Sequence, residues 1–145
     1  MIQVFPISEI EKYNGELVFN GIIDCAKQAL ENDIPVVLGN DVGCPWVSQY
    51  DFWRELYYFH KYIGVSNQFA LYSATSLAAK YAGLEEITGS IDVGKDADMI
   101  VVSENPLDDL KALRYVEKVF TRGKLIDHPK VKINKTVEIE LDKYL

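Results

Sequence analysis

Apolar residues recur every three to four positions over the first part of the chain. Val18, Ile22, Cys25, Ala26, Ala29 and Leu30 share one face at the helical period, which predicts an amphipathic helix ending near Asn32. The pattern then becomes an unbroken apolar run, Ile34-Pro35-Val36-Val37-Leu38, closed by Gly39. Such a run suits a strand buried on both faces, as in a parallel sheet. A second helix is predicted from about residue 51 to residue 63. Phe52, Leu56, Phe59 and Ile63 form its apolar stripe, and Gly64 is its left-handed stop. Ser66 predicts the cap of a third helix, with Ala70, Ala74, Leu77, Ala78 and Tyr81 on one face and Gly83 at its end. Helix followed by buried strand is the rhythm of an α/β fold.

From Gly89 onward the period shortens to two. Residues 97–102 predict a strand, Asn105-Pro106 a turn, and residues 116–121 and 124–126 the two arms of a hairpin around Arg122-Gly123. Val131, Ile133, Val137, Ile139 and Leu141 all occupy odd positions, which predicts a half-buried strand at the C-terminus. The expected organisation is therefore a helix-rich part over residues 1–88 and a β-rich part over residues 89–145.

Composition narrows the class of partner. The 145-residue chain is 48% hydrophobic and 26% charged, ordinary for a soluble globular protein, with a formal net charge of -7. Nucleic acid and anionic membrane surfaces require a basic face, so neither is an expected partner. Cys25 and Cys44 form no Cys-x-x-Cys pair, so no disulfide framework is expected and a reducing cytoplasm fits. The opening residues show no basic region followed by a long apolar run, and no signal peptide is expected.

One local pattern points to chemistry. In Leu38-Gly39-Asn40-Asp41-Val42-Gly43, Asp41 stands just past the predicted buried strand, the edge at which barrels and open α/β sheets bind ligands. A carboxylate there can bind a divalent metal and accept a proton from metal-bound water. The same residues are also common turn chemistry, and the pattern by itself does not choose. Gly89-Ser90-Ile91-Asp92-Val93-Gly94-Lys95-Asp96 approximates a phosphate loop, but Asp96 replaces the hydroxyl that meets magnesium. The loop also follows a helix and precedes a strand, the reverse of the required order, so nucleotide binding is not expected. His60 and His128 belong to no metal-binding spacing, Cys44 has no evident base, and Trp46, Tyr50, Trp53, Tyr57 and Tyr58 suit helix packing.

Taken in order, four stretches resemble the C-terminal region of the amidohydrolase superfamily, especially its imidazolonepropionase- and prolidase-like members. Leu38-Gly39-Asn40-Asp41 is similar to the Leu-Gly-Thr-Asp that ends the eighth barrel strand, with Asn40 in place of threonine. Ala74-Thr75-Ser76-Leu77-Ala78-Ala79 is similar to the Ala-Thr-x-x-x-Ala helix. Gly89 through Asp98 follows Gly-Ser-Ile-x-x-Gly-Lys-x-Ala-Asp, the most specific of the set. Asn105-Pro106-Leu107 and Val119 through Lys124 are similar to the closing turn and hairpin.

The resemblance implies the last βα units of a TIM-type (β/α)8 barrel over residues 1–88 and the C-terminal strands of the small β-sandwich over residues 89–145. It implies for Asp41 the roles of metal ligand and general base, with zinc or a similar divalent metal as cofactor. The family's His-x-His, bridging lysine or glutamate and later histidines lie on strands that this chain does not contain. One aspartate cannot hold a catalytic metal, which needs about three protein ligands and an open position. The expected function is thus a truncated or split segment of a hydrolase acting on amide-type C–N bonds, inactive alone. It is expected to self-associate or to pair with a complementing N-terminal segment. A non-catalytic binding or assembly module derived from such an enzyme is the alternative.

Overall fold

The computed structural model describes residues 9–43 and 46–145, with side chains from residue 14 onward. Helix α1 (Glu9–Glu31) leads into an extended segment over residues 34–40. A short 3-10 turn (Gln49–Asp51) then opens α2 (Phe52–Tyr58), which continues as a π turn over Phe59–Ile63. Gly64 stops it at φ 88°, a conformation that costs glycine little. Ser66 caps α3 (Asn67–Ala74) by accepting from the Phe69 amide at 3.1 Å, and α4 (Ser76–Tyr81) follows. Strands β1 (Met99–Val102), β2 (Val116–Thr121) and β3 (Lys124–Asp127) form an antiparallel sheet in sequence order. The chain ends in α5 (Lys135–Leu141) and a 3-10 turn over Asp142–Tyr144.

The core lies among the helices. Leu56, Phe59 and Ala70 are buried together with Leu110, which a 3-10 segment (Leu110–Arg114) delivers from the second half of the chain. The hydrophobic centre therefore spans the change of character at residue 88. The sheet sits to one side and leaves Ile100, Leu125 and Ile126 exposed. Arg122 (φ 48°) and Gly123 (φ 77°) make the two-residue turn of the β2–β3 hairpin, whose left-handed pair matches strand twist.

Four expectations change. First, residues 34–38 are extended but form no ladder among the described residues. Val36 and Leu38 pack on the core while Ile34 and Val37 are exposed. A strand is buried on both faces only when neighbours cover it, and here one face alone meets helices. Second, α1 is present but rotated. Phe19, Ile23, Ala26 and Leu30 turn inward, with Phe19 edge-on to Tyr62 at 5.1 Å, while Val18, Ile22 and Cys25 of the predicted stripe face outward. The helix carries apolar residues on two faces, and only one is packed.

Third, the helix over residues 66–81 breaks at Thr75 (φ -120°, ψ -93°), whose hydroxyl donates to the Leu71 carbonyl at 2.6 Å. Threonine hydroxyls compete in this way with the helical ladder. Fourth, the C-terminal strand expected over residues 131–141 is α5. Asn134 accepts from the Thr136 and Val137 amides and nucleates a helix. Positions 137 and 141 suit both periods, since four is twice two. Leu141 is buried whereas Ile139 is 64% exposed.

Candidate functional site

Asp41 follows the extended segment in a tight turn. Its φ of 44° is left-handed, which aspartate tolerates better than most residues, and Gly43 follows at φ 117°. Its side chain is exposed. Next to it, the Asn40 amide donates to the Ser48 carbonyl at 3.3 Å and ties this turn to the entry of α2. Cys44 lies outside the described residues.

The other candidates are scattered. His60 is exposed at the end of α2, with Nδ1 2.7 Å from the Val65 carbonyl. His128 is exposed on the turn after β3, 4.0 Å from the Asp127 carboxylate. Cys25 is exposed on α1. Among the described residues no three His, Cys, Asp or Glu side chains gather as a metal site. Asp41 as it stands here therefore does not fit a complete metal centre, which needs more ligands than one carboxylate.

The glycine-rich stretch is held by its own side chains and by the helix before it. Lys95 donates to Ser90 at 2.6 Å and lies 3.5 Å from Asp92, so its ammonium is engaged within the loop. Gly89 (φ 93°) lies against the helix break. A Cβ on it would meet Ala79 Cβ at 2.4 Å and the Thr75 carbonyl at 3.2 Å, and its own carbonyl accepts from Ser76 at 2.6 Å. Two of the resembling stretches are thus one contact, helix 74–79 closing on Gly89. Asp98 then accepts from the Arg122 amide at 2.8 Å and from the Thr88 hydroxyl at 3.2 Å, clamping the hairpin turn to the crossover.

A charged cluster between α2 and α5 was not legible in the residue pattern. Arg54, 2% exposed, donates to Asp51 (3.2 Å), Glu138 (3.0 Å) and Asp142 (2.7 Å). Arg114 donates to Glu138 at 2.6 Å and Asp142 at 2.9 Å. Both guanidinium groups lie near the Trp53 ring, at 4.6 and 5.4 Å from its centroid. A cavity of about 30 Å³ beside the cluster is lined by residues including Asn40, Trp46, Ser48, Asp51, Arg54 and Tyr58. That volume suffices for one water.

Burial pushes Asp51 up to about 6, helped by hydrogen bonding and repulsion from Glu138 and opposed by Arg54. Burial also acts upward on Asp142, but hydrogen bonds from Arg114 and Arg54 hold it below the usual carboxylate range. Burial pushes the Tyr58 phenol up to about 12. The local spacings were visible in the sequence, i,i+3 for Asp51 and Arg54 and i,i+4 for Glu138 and Asp142. Their meeting across more than 80 residues was not.

The amidohydrolase family profile matches residues 16–126. An imidazolonepropionase from Thermoplasma volcanium is 28% identical over 107 residues, covering 70% of this chain and 26% of that protein. The crystal structure of a protein assigned as a prolidase, from Bifidobacterium longum, superposes at a TM-score of 0.88 with 37% identity, over 94% of this chain and 34% of that one. A Xaa-Pro dipeptidase with methionine bound in its active site superposes at 0.71 with 31% identity, over 83% of this chain and 29% of that one. The chain belongs to the amidohydrolase family, whose members are generally metal-dependent. Its fold is that of the matching portion of those relatives, and it spans about a third or less of their lengths.

Proposed function

We propose that this chain is the C-terminal portion of a metal-dependent hydrolase for amide-type C–N bonds. In this reading residues 1–88 are the closing βα units of a (β/α)8 barrel and residues 89–145 the final strands of its companion β-sandwich. The observation that carries it is the 37% identity and TM-score of 0.88 to a prolidase-assigned structure, held over 94% of the chain. The name of the Xaa-Pro dipeptidase relative agrees with cleavage of such a bond.

Asp41 is the chain's contribution to the active centre, one carboxylate serving as metal ligand and general base. The remaining ligands come from a segment that also covers the open face of residues 34–38. The divalent metal, zinc or similar, would supply water activation. The chain alone is inactive in this reading.

The test is complementation. The chain is co-produced with a segment carrying the missing strands of a close relative, loaded with zinc, and assayed on dipeptides and cyclic amides. Hydrolysis by the pair but not by either part is expected, and Asp41→Asn should lower the rate by orders of magnitude. A near-normal rate in Asp41→Asn would overturn the role of Asp41. A folded pair without hydrolysis would favour a binding or assembly module over an enzyme segment.

A further inference from the structure

The Arg54 cluster joins three carboxyl groups to two guanidinium groups, so its full ionisation leaves an excess negative charge in a largely buried place. Among the described residues Asp51 Oδ2 and Glu138 Oε1 are buried without a partner, as is Nη1 of Arg54. The two carboxyls bind the same guanidinium, Asp51 through Nε and Glu138 through Nη2. Both oxygens are acceptors when ionised, and Asp51 lies within hydrogen-bonding reach of Glu138, so a proton on one carboxyl supplies a donor to the other.

We propose that Asp51 and Glu138 share a single proton, and that this shared proton is a pH-sensitive latch holding the C-terminal helix α5 against α2. The latch is independent of the hydrolase reading, because none of its members is Asp41. Asp51 sits at the entry of α2 and Glu138 in the first turn of α5, so the bond spans the two elements. The other members reinforce the same joint. Tyr58 of α2 donates to the Leu141 carbonyl at 3.4 Å, and Asp142, just beyond α5, is held by both arginines.

Among the described residues, three elements bring charged and titratable groups to the pair. From α2 come Arg54, Glu55 and Tyr58; from α5 and the turn after it, Glu138 and Asp142; from the 3-10 segment over Leu110–Arg114, Arg114. Burial holds Tyr58 protonated well above neutrality and also pushes Glu55 upward. Asp142 is displaced the other way and stays ionised. Asp51 is thus the member whose charge changes near pH 6.

The sign follows from an acid raised in the folded state. The shared proton's contribution to docking of α5 is complete below the unfolded carboxylate range and is lost as pH rises through about 6, whereas the ion pairs of Asp142 weaken only in acid. Linkage over that displacement predicts about a tenfold rise in the opening of α5 between pH 5 and 7.5.

Hydrogen exchange of the full chain, read by mass spectrometry over residues 134–145 and corrected for intrinsic pH dependence, tests this. The wild type should show the tenfold loss of protection. Asp51→Asn, whose amide donates to Glu138 without titrating, should hold protection nearly constant across the same range. A flat wild-type profile, or an Asp51→Asn profile with the full wild-type slope, overturns the proposal. Should the variant fail to fold, carbon-13 titration of the wild-type carboxyls decides. A midpoint for Asp51 near 6 with a concerted shift at Glu138 supports the shared proton, and a midpoint near 4 without it overturns the latch.

Discussion

Gly89 is the position at which the most specific stretch of the sequence has its clearest physical reason. Its φ of 93° and the 2.4 Å approach of any Cβ to Ala79 leave room for no side chain. Gly89→Ala should therefore destabilise the chain by about 1–3 kcal/mol, from overpacking and left-handed strain together. Urea unfolding of the two proteins measures this. Adding Ala79→Gly should recover only part of the loss, since the backbone strain remains; full recovery would show that φ contributes nothing. Arg54 presents the opposite case, a residue whose cost lies in charge rather than shape. Its removal leaves Asp51 and Glu138 buried with one cation fewer. Arg54→Ala should lose about 3–5 kcal/mol, the usual penalty for breaking a buried ion pair from one side. Arg54→Lys should recover little of it, because one ammonium cannot reproduce a fork reaching three carboxylates.

Among the elements, α5 tests how much a cap contributes. It has only seven residues, so its stability comes from docking and from Asn134, which accepts from two amides of its first turn. Asn134→Ala should weaken it by about 1 kcal/mol. The expected readout is roughly fivefold faster exchange of the α5 amides with little change in the β2–β3 hairpin. This element also marks the limit of reading structure from pattern. The helices around Leu56 and Ala70 and the hairpin at Arg122-Gly123 follow from period and turn chemistry, and they appear where those features lie. Residues 131–141 satisfied period two, but Asn134 as a cap and the i,i+4 pair Val137 and Leu141 satisfied the helix equally well. The choice was made by Arg54 and Arg114, 84 and 24 residues distant from Glu138. The rotation of α1 has the same origin. With apolar residues on both stripes, the sequence could not say which would meet Tyr62. At the candidate site Asp41 was legible as a carboxylate in a turn, whereas its exposure depends on long-range packing that the local pattern does not encode.

For the molecule as a whole, the decisive feature is the apolar surface left exposed among the described residues. Leu17, Val18 and Ile22 of α1 are exposed, as are Ile34, Val37 and Val42 around the extended segment and Ile100, Leu125 and Ile126 on the sheet. Single exposed apolar residues are ordinary, but grouping on one helix face and along one segment without a ladder among the described residues favours association. The formal net charge of -7 opposes association only over a Debye length, about 10 Å at 0.1 M salt, so added salt should strengthen contact rather than dissolve it. The chain by itself should therefore self-associate in solution, increasingly so from 50 to 500 mM salt, as read by size-exclusion chromatography with light scattering. Val18→Glu combined with Ile22→Glu should shift it toward the monomer, because two carboxylates then occupy the exposed stripe while the inward stripe of Phe19, Ile23, Ala26 and Leu30 is untouched. Supplying the complementing segment should achieve the same shift with the native residues in place, by covering the face with its own strands. A well-folded wild-type monomer at every salt concentration would show that these faces need no partner, and would remove the main physical argument for an N-terminal complement.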